Sequence, residues 1–334
     1  MAALAASALS LGWLVGGAGP AHAADPVTET GAEAYADLMA VQTATRTGWT
    51  SGYVLSAHGT TEGGWSWVET FDPAHQTVRW QPASGTARLY TPTTTYVAIV
   101  RNARTRAILT LAGRPSALWF DVYAPKDNPD YRPSLGHEFD LYVPAVPTPA
   151  AGAAYDVLDS ATVATDVDGT RHWVVQHHFW SGGVDRPASP AFLVTADPQG
   201  RRIADTSYDS TSGESVTYGS PAVPRPTTAQ YIPWDTYALA DATYTLRTRV
   251  VAAAGAVVRA AQAYAARHHR ALAVSDLRYE APRVVAALPS SLVPVRTARV
   301  APGAEVYGWN RFSRTWVVYY LRVVNHRAVV TRIR

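Results

Sequence analysis

Apolar and polar residues alternate with a period of two along a series of short stretches, the signature of half-buried β-strands. The first series covers residues 52–58, 64–71 (GWSWVETF), 77–81 (TVRWQ), 87–90 and 96–101, then 108–111 and 118–123. Turns with φ-setting prolines or glycines cut it at Asp72-Pro73-Ala74-His75 and at Pro82-Ala83-Ser84-Gly85. A second series covers 155–163, 170–180, 191–196, 201–209 and 215–218. Between the two, 124–136 reads as a surface loop, 139–143 as a short edge strand and 143–154 as a Pro/Ala-rich, semi-rigid connection.

Two stretches follow the helical period instead. Thr30 and Glu33 form a capping box, and Tyr35, Leu38, Met39 and Gln42 share one face behind it, which predicts a helix from 32 to about 46. Leu246, Val250, Ala254, Val257, Ala261 and Ala265 share a face over 243–270, a helix of about 40 Å. Strands are predicted after it at 292–300, 305–309, 315–321 and 328–332. The pattern is α+β: an antiparallel sheet domain with an N-terminal helix over 24–235, then one long helix packed on a small sheet over 236–334. Pro221, Pro224, Pro226 and Pro233 mark the linker between them.

Composition refines this picture. With 334 residues, 47% hydrophobic and 16% charged, the chain has enough apolar material for two cores. Residues 1–23 read as a secretory leader: 4–18 is apolar and uncharged, and Ala21-His22-Ala23 is a small-x-small cleavage site. A positively charged n-region is missing, since Arg46 is the first basic residue; the competing reading is a buried apolar helix. The expected location is therefore outside the cell or in its wall. The longest uncharged apolar run after the leader, 250–258, is far short of the ~20 residues that span a bilayer, so no transmembrane helix is expected. The absence of cysteine excludes disulfides, thiol catalysis and Cys-based metal sites. Charge is unevenly spread. Residues 1–240 hold 14 Lys+Arg against 22 Asp+Glu, net −8, and residues 241–334 hold 15 Arg against 4 acids, net +11. The basic part suits an anionic envelope surface, whether wall polymer or lipid headgroups, or the acidic first domain.

Catalytic motifs are not evident. The chain has no Gly-x-Ser-x-Gly elbow, P-loop, dinucleotide fingerprint or His-Glu-x-x-His. His172 and His178 share a strand face but lie about 20 Å apart at ~3.3 Å per residue, too far to chelate one metal. Asp166-Val167-Asp168-Gly169 lacks the later acid of a calcium loop and reads as a β-turn. No enzyme activity, cofactor, metal or nucleic-acid partner is expected. The remaining signal is aromatic: Trp65, Trp67, Trp80, Tyr90, Tyr96 and Trp119 are the candidate ligand-binding residues, on a sheet face left open for an apolar ligand such as a lipid. The competing reading is a filled sheet core.

The hairpin over 64–80, with Phe71-Asp72-Pro73 and Val78-Arg79-Trp80, and that over 191–209, with Asp197-Pro198, resemble the LolA/LppX-like family of bacterial lipid and lipoprotein carriers over about residues 27–233. The resemblance implies a curved half-barrel around an apolar cavity and a non-catalytic carrier of acyl chains. Envelope-stress regulators of the RseB/MucB type share that fold with an added C-terminal domain, and are the alternative, as is a glycan-binding or glycan-hydrolysing envelope protein. Residues 241–334, with one long Ala/Val helix, Tyr264-Ala265 leading into a Ser275-Asp276-Leu277 turn, and then a small sheet, resemble a pilin-type module.

Overall fold

The computed structural model describes residues 25–60, 64–123, 154–181, 184–188, 191–207, 212–219, 221–289 and 294–334. The leader at 1–23, the loop at 124–136, the edge strand at 139–143 and nearly all of the connection at 143–154 lie outside them. In chain order the elements are β1 (Val27–Thr30), α1 (Gly31–Trp49), β2 (Tyr53–Gly59), β3 (Trp65–Asp72), β4 (Thr77–Pro82), β5 (Arg88–Tyr90), β6 (Thr94–Ala98), α2 (Ala103–Leu111) and β7 (Trp119–Tyr123). Then come β8 (Ala154–Thr165), β9 (Arg171–Ser181), β10 (Val184–Ala188), β11 (Phe192–Ala196), β12 (Arg202–Ser207), β13 (Ser212–Tyr218) and β14 (Tyr231–Pro233). The C-terminal part holds α3 (Trp234–Arg267), α4 (Val274–Ala286), β15 (Val295–Val300), β16 (Gly303–Asn310), β17 (Thr315–Val324) and β18 (Arg327–Arg332). The protein is mixed α+β. Among the described residues no helix is long and apolar enough to cross a membrane.

The chain divides into two compact units, one reaching Thr95 and resuming from Ala124 to Arg225, the other made of Tyr96–Tyr123 and Pro226–Arg334. In the first unit the strands follow the path β1-β8-β9-β11-β12-β13-β2-β3-β4-β5, with β10 beside β9. The two strand series of the sequence join where β13 pairs antiparallel with β2, Val216 opposite Leu55. The path is open; no strand pairing closes it into a barrel among the described residues.

One face of this sheet buries the core because register places its apolar residues in rows. Leu55 and Val216 are neighbours across β2 and β13, and Phe71 and Val78 across β3 and β4. Helix α1 starts at the expected capping box, with Glu33 N donating to Thr30 Oγ1 at 3.4 Å and Thr30 N to Glu33 at 2.8 Å. Its residues Ala34, Leu38 and Val41 pack on Leu158, Ala161, Trp173, Val175 and Val194 of that face. Its last residue, Trp49, joins Tyr53, Leu55, Phe71 and Val78 in a second cluster. Each fully buried Leu or Val here contributes about 1.5–3 kcal/mol.

In the second unit, α3 lays Leu246, Val250, Val257 and Ala261 against Ala304, Val306, Val317 and Leu321 of the sheet β15-β16-β17-β18, and α4 adds Leu277 and Ala281. The fit is close: a Cβ on Gly308 would stand 2.6 Å from Leu246 Cδ1. Three expectations are corrected. Residues 108–111 are not a strand but the end of α2, whose N-terminus is capped by Asn102 Oδ1 accepting from Thr105 N at 2.8 Å. Residues 275–277 are not a turn but the first turn of α4, held by Asp276. The segment Tyr96–Tyr123 belongs with the C-terminal part, because Ile99, Leu109 and Ala117 bury against Ile232, with Phe120 and Tyr237 packed on them.

Candidate functional site

The covering helix occupies only part of the buried face of the first unit. Beyond the Trp49 cluster, β2 and β3 continue with Ala57 opposite Trp67 and Gly59 opposite Trp65. On β4, Pro82 stands opposite Trp67 and Trp80 opposite Glu69, which extends the row across the sheet. The Trp65 ring covers Gly59: a Cβ there would meet the indole at 2.4 Å, so only glycine admits the ring in this position. Glycine in a strand leaves a bare patch of backbone, and a cross-strand aromatic covers it. Trp65 is nevertheless 46% exposed. Trp67 is half-buried against the core, and Trp80 is half-buried with the Arg88 guanidinium 5.9 Å from its ring centroid. Ala57, Gly59, Trp65, Trp67, Trp80 and Pro82 thus form an apolar shelf that continues the core.

The six residues predicted from sequence divide between the units. Trp65, Trp67, Trp80 and Tyr90 share this face of the first unit, with Tyr90 opposite Val78 and packed on the core. Tyr96 and Trp119 belong to the second unit, where Tyr96 lies 5.5 Å from Tyr231 and Trp119 pairs with Tyr231 in the parallel β7–β14 register.

Polar groups border the shelf. Tyr53 donates to the buried Glu69 carboxylate at 2.8 Å, and burial first, then Glu69, pushes the Tyr53 phenol far above its ordinary range. Next to Ala57 in the register, Glu214 lies opposite Asp205. Both pair with the fully buried Arg202, Glu214 at 3.3 Å. Burial and then Asp205 raise the Glu214 carboxyl above its usual value. The register alone would not have revealed this ionic border. A bulge between Thr195 and Ala196 turns Arg202 onto the same side as Asp205.

The opposite face is polar. His172 bonds Asp166 at 2.9 Å and Thr195 Oγ1 at 3.2 Å, and His178 bonds Asp159 at 2.6 Å. Each histidine thus has its own carboxylate. Asp166–Gly169 is a turn, as expected, with Gly169 N donating to Asp166 O and Thr170 N to Asp168 Oδ1. No cluster of three metal-ligating side chains occurs among the described residues.

Fold and site together define an α+β protein with a large, open antiparallel sheet carrying an aromatic shelf on its helix-covered face. No family model matches the chain, and no curated protein matches it. Among solved structures it is similar to an uncharacterized conserved protein from Thermus thermophilus, at a TM-score of 0.28 and 8% identity over 58% of this chain and 98% of that one. Likeness at that level carries no argument.

Proposed function

We propose that the first unit is a non-catalytic binding module for the apolar portion of an amphiphile, such as an acyl chain of a lipid or lipoprotein. The observation that supports it is the exposure of Trp65: a large aromatic ring on the core-forming face, laid over Gly59 and still 46% exposed, beside half-buried Trp67 and Trp80. Removing an acyl chain from water contributes about 0.8 kcal/mol per buried CH₂, so such a shelf favours a long chain over a short one. Indole N–H groups and the Arg202–Glu214 border suit the polar end of the ligand. In this reading the sheet curves over the ligand in the half-barrel manner of lipid carriers, and the protein works outside the cell.

The test is titration with 11-(dansylamino)undecanoic acid, read by energy transfer from tryptophan, together with mass spectrometry of lipids extracted from the purified protein. Saturable binding that weakens at least tenfold in Trp65→Ala and Trp67→Ala is expected. A lipid-free protein with no saturable uptake would contradict the reading.

A further inference from the structure

The four-stranded sheet of the second unit has two unlike faces. Ala304, Val306 and Gly308 of β16 point toward α3. By alternation Tyr307 and Trp309 point away, and the β16–β17 register puts Trp316 directly opposite Trp309. The Trp309 and Trp316 rings stand 4.9 Å apart, Tyr307 lies 6.0 Å from Trp316, and Trp316 is 39% exposed. This aromatic group abuts the β16–β17 turn. There the buried Asn310 fixes the chain, its Oδ1 accepting from Phe312 N at 2.9 Å and Ser313 N at 3.3 Å. The turn thus holds Phe312 outward at 63% exposure, with the Arg311 guanidinium 4.7 Å from its ring and Arg314 exposed two residues on.

An exposed phenylalanine on an ordered turn, flanked by arginines and backed by two indoles, combines three elements. The apolar ring suits insertion between lipid chains, the indoles suit the headgroup level, and the guanidinium groups suit anionic phosphates. Neither Arg311 nor Arg314 forms a salt bridge among the described residues, so both charges are open to an outside anion. We infer that this turn is a docking tip for the surface of an anionic phospholipid bilayer, with Phe312 entering the membrane and Arg311 and Arg314 contacting headgroups. Charge complementarity singles out this occupant, since residues 241–334 carry net +11. The inference uses residues distinct from the aromatic shelf and stands independently of it.

The experiment is flotation of the full chain with vesicles of phosphatidylcholine alone or with one quarter phosphatidylglycerol. The protein is expected to float with the anionic vesicles and at least fivefold less with the neutral ones. Phe312→Ala and Arg311→Gln are each expected to lower the partition coefficient at least fivefold. Both side chains are exposed, so an unchanged circular dichroism spectrum accompanies the loss, and uptake of the dansyl fatty acid by the first unit is retained. Flotation insensitive to Phe312→Ala, or no flotation, overturns the inference. So does tighter binding to soluble heparin or oligo(dT) than to vesicles, because a polyanion needs the arginines but not the phenylalanine.

Discussion

Tyr53 and Asp72 show how single polar groups are kept inside the first unit. Tyr53→Phe takes from the buried Glu69 carboxylate a donor at 2.8 Å. A loss of about 1–3 kcal/mol in urea unfolding is expected, because a donor that offsets the desolvation of the buried carboxylate is then lost. Asp72, 2% exposed, accepts from Val223 N at 2.7 Å and from His75 N at 3.1 Å. Burial alone would raise its carboxyl, but the bonds from Val223 and His75 outweigh it and hold the group below the ordinary aspartate value. Asp276 is also held low, first by Arg270, in spite of its burial. Both folded values lie below the unfolded ones. Their stabilisation is therefore complete above the ordinary aspartate value and disappears as the pH falls through the depressed values. Urea midpoints measured across the acid range should fall there, and Asp72→Asn with Asp276→Asn should make that fall shallower. Glu214 behaves oppositely: its raised carboxyl opposes folding once ionised.

At the scale of elements, the strands were legible because half-buried strands print their alternation in the sequence. Trp65, Trp67, Glu69 and Phe71 do lie on one face, and the Thr30–Glu33 box does open α1. Thr30→Ala is expected to cost about 1 kcal/mol, read as a lower Tm. Helix α2 was missed because a run as short as Ile108–Leu111 fits either period; the Asn102–Thr105 cap was the available signal. Helix α4 was missed because Ser275-Asp276-Leu277 was read as a turn, although Leu277, Ala281 and Val284 follow the helical spacing and Pro282 is carried inside the helix. The close approach of α3 to β16 was invisible, since Gly308 carries no pattern of its own. Gly308→Ala drives a methyl toward Leu246 Cδ1 and is expected to destabilise the second unit by about 1–3 kcal/mol, as overpacking does, measured by thermal unfolding.

At the scale of the whole molecule, the boundary read from charge and prolines near residue 235 caught the second unit only in part. The unit also recruits Tyr96–Tyr123, a long-range choice that local pattern does not encode, made by Ile99, Leu109 and Ala117 around Ile232. A fragment of residues 226–334 alone leaves Ile232 and Tyr237 without these partners. It is expected to bind a hydrophobic dye and melt below the second unit of the intact chain. The aromatic candidates divided for the same reason: Trp65, Trp67 and Trp80 lie on the shelf and Tyr90 packs on the core of the same face, while Tyr96 and Trp119 belong to the other unit. If the shelf binds the ligand, Gly59→Val must weaken that binding, because a side chain there displaces the Trp65 ring without adding or removing charge. Titration of that variant with dansylaminoundecanoic acid should show affinity at least tenfold below the unsubstituted protein, with the circular dichroism spectrum retained. Equal affinity in the two proteins would show that the ligand does not bind on the shelf.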